Sequence, residues 1–153
     1  MLETPHAILG ATIAAKIPNP LVALPLALLS HLLLDQIPHW NPDLGGEVRK
    51  YGHISSRSNL IILADVVLSL GFGFWIASQA LPNLEKALVI ILASFMAVVL
   101  DVIEGFHFFL GVDQPLLKRL ISFQHKHQKR VLFLPGVLTQ IAVILLSLYI
   151  LRS

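Results

Sequence analysis

Five stretches of hydrophobic residues alternate with polar segments along the chain. They are residues 5–17, 21–37, 58–80, 84–110 and 131–151. The last three are long enough to cross the hydrocarbon core of a bilayer, which takes about 20 helical residues. The first reaches only about 20 Å, so it either spans a locally thinned membrane or forms a buried or re-entrant helix. The pattern predicts one all-α transmembrane domain over residues 1–153, a bundle of about five helices.

Small residues recur at helical spacing in the first hydrophobic stretch. Ala7, Ala11 and Ala15 form one row, and Gly10 and Ala14 form a second. In membrane proteins such rows allow helix backbones to approach closely. The first helix is therefore expected at the centre of the bundle.

The composition agrees with a membrane protein. Hydrophobic residues make up 56% of the 153 residues and charged residues only 13%, about half the charged share of a soluble domain. Cysteine is absent, which excludes disulfides, thiolate metal ligands and a cysteine nucleophile. The net charge of +2 gives no reason to expect a nucleic-acid partner. The expected partners are membrane lipids and a lipid-like substrate, and the oligomeric state is left open.

Two long polar loops, about residues 38–57 and 111–130, lie on one side of the membrane if every hydrophobic stretch spans it. Eight of the 11 basic residues then lie on that side: Arg49, Lys50, Arg57, Lys118, Arg119, Lys126, Lys129 and Arg130. Cytoplasmic loops carry an excess of Lys and Arg. We therefore expect a multi-pass protein of the cell (inner) membrane whose N-terminus and polar loops are cytoplasmic. Residues 114–123, apolar on one face and basic on the other, are expected along the membrane surface.

Ionisable side chains interrupt the hydrophobic stretches, although a charged group at membrane depth costs at least about 2.5–3.5 kcal/mol. They are His6, His31, Asp35, His39, Asp65, Asp101, Glu104 and His107. Because successive segments alternate in direction, all of them are predicted near the cytoplasmic ends of their helices. They are therefore expected to meet in one site. Imidazoles and carboxylates without thiols are typical of zinc, with manganese or iron as alternatives.

Roles follow from residue type and position. The predicted metal ligands are His6, His31, Asp35, His39, Asp65, Asp101 and His107. A carboxylate outside the coordination shell can act as general base, a role assigned to Glu104, with Asp65 as a further catalytic candidate. The side chains predicted to bind a substrate headgroup are Arg57, His53, Arg119, His125 and His127. For the three loop histidines, a solvated basic loop without a ligand is the alternative.

One local string carries a resemblance to known enzymes. The sequence His31-Leu-Leu-Leu-Asp35-Gln-Ile-Pro38-His39-Trp40 resembles the H-x3-D-x(n)-P-x-H stretch of the zinc-dependent phospholipase C and single-strand nuclease superfamily. With His6 and the following Gly52-His53, the first 60 residues or so are similar to the predicted membrane-bound metal-dependent hydrolases. The resemblance implies a helical metalloenzyme. It also implies that His6, His31, Asp35 and His39 are metal ligands.

These features predict a membrane-embedded metal-dependent hydrolase. A lipid phosphoester is the favoured substrate, attacked by a metal-activated water at the cytoplasmic-side leaflet. One alternative is an ion or proton transporter, in which the same groups line a pathway. A second is a carboxylate-bridged di-iron oxidase, for which Glu104-x-x-His107 supplies half of the usual pair. The third is a non-catalytic membrane assembly protein, whose polar groups hold the bundle together.

Overall fold

The computed structural model describes residues 1–153 and contains seven α-helices and no β-strand. The helices are α1 (Glu3–Lys16), α2 (Pro20–Leu34), α3 (Leu44–Tyr51), α4 (Ser56–Ser78), α5 (Leu84–Leu110), α6 (Pro115–His127) and α7 (Phe133–Arg152). The prediction of an all-helical fold is confirmed. The predicted number of about five helices is wrong, because α3 and α6 lie inside the two segments expected to be polar loops.

The two additional helices are short and only partly apolar, so hydrophobic stretches alone do not reveal them. Asp43 caps α3 by accepting a hydrogen bond from the backbone N–H of Gly46 at 3.0 Å, as side-chain oxygens do at helix starts. Gly52 ends α3 in the left-handed conformation, with φ of 74°, which glycine adopts without steric cost. Pro115 opens α6, and basic residues fill its last turn, as the helix dipole favours.

Three helices, α4, α5 and α7, are long and apolar enough to cross a membrane. The apolar helix α2 is shorter. Large hydrophobic side chains cover the outer faces of the long helices; Leu63 and Val67 on α4, for example, are each 61% exposed. In water such a surface would be unfavourable, whereas lipid chains solvate it. The prediction of transmembrane helices is therefore supported.

The first helix occupies the centre of the bundle, as its small residues predicted. It packs against α2, α4, α5 and α7. A Cβ atom added to Gly10 would lie 2.6 Å from the Ala93 carbonyl oxygen and 2.6 Å from the Ala97 Cβ atom. The backbones of α1 and α5 can therefore approach this closely only because position 10 has no side chain.

Two loops join at the end of the bundle where α1 begins. The backbone N–H of His39 donates to the Lys129 carbonyl at 3.0 Å, and the N–H of Lys129 donates to the Asp35 carbonyl at 3.0 Å. The side chain of Gln140 on α7 adds two contacts: its Nε2 donates to the Trp40 carbonyl at 3.0 Å, and its Oε1 accepts from the backbone of Leu2 at 2.8 Å. Hydrogen bonds from α7 and from the loop between α6 and α7 thus hold the segment that follows α2.

Candidate metal centre

Three imidazole rings surround the carboxylate of Asp35 where these loops meet. Its Oδ1 atom lies 3.3 Å from His6 Nε2 and 3.8 Å from His39 Nε2. Its Oδ2 atom lies 3.6 Å from His31 Nε2. All three histidines have no exposed surface, and Asp35 is 2% exposed. The structure therefore brings together the four residues that the sequence motif singled out.

The histidines direct free nitrogen atoms into this cluster. The Nδ1 atoms of His31 and His39 each lie 2.8 Å from a backbone carbonyl oxygen, those of Ala97 and Ile37 respectively. A carbonyl accepts a hydrogen bond from Nδ1–H, which leaves the lone pair of the neutral ring on Nε2. Neither Nε2 atom has a hydrogen-bond partner, and neither nitrogen of His6 has one. Buried polar atoms are rarely left unpaired, so this arrangement is suited to a cation, and the N-terminal ammonium of Met1 already donates to Asp35 Oδ1.

His39 lies in the loop after α2, and burial lowers the pKa of its imidazole from 6.5 to about 4. The ring is therefore neutral around pH 7. A neutral imidazole is the form that ligates metal ions.

Asp101 completes the cluster from α5. Its Oδ1 atom lies 3.7 Å from His31 Nε2, and its Oδ2 atom has no partner. His6, His31 and Asp101 offer ligand atoms that all lie within 4.8 Å of one another. Donors around a tetrahedral zinc ion are about 3.3–3.6 Å apart. The distances from Asp35 to its three histidines and from His31 to Asp101, 3.3–3.8 Å, are close to that spacing and long for hydrogen bonds. The residues therefore fit a divalent metal ion.

A cavity of about 520 Å³ adjoins the cluster, and Asp101 belongs to both. Glu104, His125, Gln128 and Arg130 also line it. The Nε2 atom of His125 lies 2.9 Å from Oε1 of Glu104. The cavity therefore brings a carboxylate–imidazole pair and a guanidinium group close to the cluster.

The carboxylate of Asp65, predicted as a metal ligand and a catalytic group, extends from α4 to the start of α1. It accepts hydrogen bonds from the backbone N–H groups of Glu3 at 2.5 Å and Thr4 at 3.1 Å, and from the Thr4 hydroxyl at 2.6 Å. The first N–H groups of a helix have no partner within the helix. Asp65 supplies that partner from α4, and although it lines the cavity, it is not among the clustered ligands.

His107 is also outside the cluster. Its Nδ1 atom lies 3.0 Å from the Val112 carbonyl oxygen, and its ring contacts Phe108 edge-on at 5.1 Å between centroids. Glu104, three residues earlier, pairs with His125 on a different helix. The Glu104-x-x-His107 pair that a di-iron site would use is therefore not directed to one point.

Of the residues predicted to bind a headgroup, only His125 lines the cavity. The side chains of Arg57 and Arg119 are exposed. His53 and His127 are exposed too, and their Nδ1 atoms face the carbonyls of Tyr51 and Phe123.

Sequence reasoning gave no role to Gln128 and Gln140. The Nε2 atom of Gln128 donates to Asp35 Oδ2 at 3.1 Å, and Gln140 is 3% exposed within a hydrophobic span. An uncharged amide in an apolar span needs partners as an ionisable group does, and this signal could have identified Gln140.

Comparison with protein-family models, with curated proteins and with solved structures gives no match. The resemblance to metal-dependent hydrolases therefore depends on His6, residues 31–40 and Gly52-His53 alone.

Proposed function

We propose that this protein is a membrane-embedded metal-dependent hydrolase that cleaves a lipid phosphoester. The observation that carries the proposal is the cluster of three buried imidazoles whose Nε2 atoms face Asp35 and Asp101 without hydrogen-bond partners. His6, His31 and Asp101 would hold the ion, with Asp35 and His39 beside them. Zinc is the favoured metal for nitrogen and oxygen donors without thiols, and manganese or iron are alternatives.

When bound, the ion supplies an activated water and polarises a phosphoryl oxygen. The protein residues around the cavity supply the rest. Glu104 Oε1 accepts and holds a proton, and the hydrogen bond from His125 orients that carboxylate. The guanidinium of Arg130, which lines the same cavity, is suited to bind phosphate oxygens.

The cluster lies at the end of the bundle that carries α3, α6 and eight of the 11 basic residues. We place this end at the cytoplasmic side of the cell (inner) membrane, because basic residues favour that side. Helix α6 buries Leu117 and Ile121 against the bundle and exposes the apolar side chains of Leu116 and Phe123 together with the basic side chains of Lys118 and Arg119. Such a helix is suited to lie along the headgroups, where the substrate of the proposed enzyme would be found.

A hydrolase is favoured over a transporter by the composition of the core. The buried ionisable side chains all lie at the end of the bundle where α1 begins, and every other buried polar side chain is uncharged; the ionisable ones are His6, His31, Asp35, His39 and Asp65. A conduction pathway needs polar groups on both sides of the membrane. A purely structural cluster in an assembly protein would be expected to pair its buried nitrogens, whereas four are unpaired here.

The proposal is tested by metal content and by turnover. Purified protein is expected to contain about one zinc per chain and to release phosphate from short-chain phosphatidic acid. A chelator should abolish release, and added zinc should restore it. His31→Gln is expected to lose both metal and activity, whereas the matched control His107→Gln keeps both. Turnover that a chelator leaves unchanged, or zinc content that is equal in both variants, would overturn the proposal.

A further inference from the structure

A second cavity of about 390 Å³ lies between α4 and α5. Nine of its 13 lining residues are hydrophobic. Glu3, Val66 and Val102 line both this cavity and the polar cavity described above. A polar chamber at the candidate metal centre therefore continues directly into an apolar groove.

The length of this groove matches one leaflet of a bilayer. On α5 its lining residues extend from Ile91 to Val102, a rise of about 16 Å. The hydrocarbon core of a bilayer is about 30 Å thick, so the chains of one leaflet occupy about 15 Å. The end at Val102 is the end that meets the polar cavity.

The groove is open along the surface that faces lipid. Leu70 and Phe74 on α4 are 56% and 58% exposed, and Leu92 and Phe95 on α5 are 50% and 48% exposed. These four side chains form the rim. The floor is formed by small buried residues: a Cβ atom added to Gly73 would lie 2.8 Å from the Ser94 hydroxyl. An apolar chain could therefore enter sideways from the bilayer without crossing water.

We propose that this groove binds one acyl chain of a phosphate-bearing lipid, with the phosphate in the polar cavity near Asp101, Glu104 and Arg130. The order of surfaces supports this occupant, because a polar head joined to one apolar chain matches a polar chamber joined to an apolar groove. The inference rests on the proposed function for the identity of the headgroup. Binding of the chain depends on the α4–α5 groove and does not require the metal.

Photo-crosslinking in nanodiscs of phosphatidylcholine tests the groove directly. The probe is phosphatidic acid with a diazirine on one acyl chain, and the crosslinked residues are mapped by mass spectrometry. We expect crosslinks at Leu70, Phe74, Leu92 and Phe95 that excess unlabelled phosphatidic acid removes. Labelling spread evenly over all lipid-exposed helices would show only bulk lipid contact and would overturn the proposal.

A pair of variants on α5 tests whether turnover depends on the length of the acyl chain. Leu92→Trp fills the groove at its far end, whereas Leu88→Trp, one turn away and 59% exposed, lies outside it and serves as the control. Leu92→Trp is expected to lower kcat/KM for dipalmitoyl phosphatidic acid by about tenfold or more relative to its effect on the dihexanoyl substrate, whose short chains do not reach the far end of the groove. Equal effects of the two variants on both substrates would contradict a chain-binding groove.

The failure of this inference is distinguishable from failure of the hydrolase. Crosslinking is repeated with His31→Gln and after chelation, where the groove should still be labelled. If groove labelling persists but zinc and turnover are absent in the wild-type protein, the groove remains a lipid site and the hydrolase proposal fails. If zinc-dependent turnover occurs without competitive labelling of the groove, the groove proposal fails and the hydrolase stands.

Discussion

The His125 side chain on α6 and the Glu104 side chain on α5 form a hydrogen bond of 2.9 Å between Nε2 and Oε1. The two residues are 21 positions apart, and the bond links a long apolar helix to an amphipathic one. Glu104 is 14% exposed and His125 34% exposed, so the pair lies at the cavity wall and reaches its interior. A carboxylate held in this way is oriented before substrate arrives, which general-base catalysis requires.

Glu104→Gln is expected to lower turnover of phosphatidic acid by about 100- to 10,000-fold, the usual contribution of a positioned acid or base. His125→Gln is expected to lower it by less, because His125 acts through Glu104. The double variant should be no slower than Glu104→Gln, since residues that act as a unit are not additive. Phosphate release measured at saturating zinc checks this order.

Zinc content and a control variant distinguish a catalytic role of Glu104 and His125 from a role in metal binding. Zinc content should be unchanged in both single variants, because neither side chain is among the clustered ligands. His127→Gln, on the same helix with its ring against Phe123, should behave like the wild-type protein. Loss of zinc in Glu104→Gln would instead identify Glu104 as a ligand.

Asp65→Asn is expected to lower the free energy of unfolding by about 1–3 kcal/mol, because the carboxylate accepts three hydrogen bonds at the start of α1. Unfolding of purified protein by denaturing detergent measures the change. At saturating zinc the metal content should stay at the wild-type level. Ser78→Ala removes a hydroxyl that donates only within its own helix and should have little effect. If the Asp65→Asn protein were as stable as wild type but contained no zinc, Asp65 would be identified as a metal ligand instead.

Gly10→Ala and Gly71→Ala form a matched pair of helix substitutions. The added methyl group at position 10 would meet the α5 backbone at 2.6 Å, whereas at position 71 it meets nothing within 4 Å. We expect Gly10→Ala to destabilise the bundle by about 1–3 kcal/mol through overpacking. Gly71→Ala should be neutral or slightly stabilising, because alanine favours helix more than glycine does. Thermal unfolding in detergent compares the two, and equal stabilities would mean that α1 and α5 are not closely packed.

The attachment of α3 to α4 is expected to depend on pH. Glu47 accepts hydrogen bonds from the Ser58 hydroxyl at 2.6 Å and the Ser55 N–H at 2.8 Å, which hold the pKa of Glu47 below its ordinary 4.5. A carboxylate with a lowered folded-state pKa stabilises the fold above its ordinary pKa, and that contribution is lost as the pH falls through the lowered value. Helix α3 should therefore loosen below pH 4.5.

Ser58→Ala raises the pKa of Glu47 towards its ordinary value and should move this loosening to higher pH. Because the chain has no cysteine, Lys50→Cys provides a single site for a nitroxide label whose mobility reports the change by electron paramagnetic resonance. Ser56→Ala, an exposed serine without a bond to Glu47, is the control. Identical mobility profiles in the two serine variants would exclude Glu47 as the cause.

The sequence by itself determined the helices that the hydrophobic stretches encode. Residues 84–110 were predicted as one segment and form α5 with the same bounds, because a long apolar run between Asn83 and Gly111 has a capping residue at each end. The small residues of α1 likewise predicted its central position. Helix α3 could not be found in this way, since it buries no residue and depends on its caps. Helix α6 is not a hydrophobic stretch either, and only the apolar and basic faces of residues 114–123 indicated it.

Only the tertiary structure decided which polar groups meet. Asp101, Glu104 and His107 are three residues apart, so each is rotated by about 60° from the previous one. That rotation directs Asp101 to His31, Glu104 to His125 and His107 to the carbonyl of Val112. Alternating helix direction places ionisable groups at one end of a bundle. The rotation of each helix about its axis, which the packing of neighbouring helices fixes, determines which of those groups share a site.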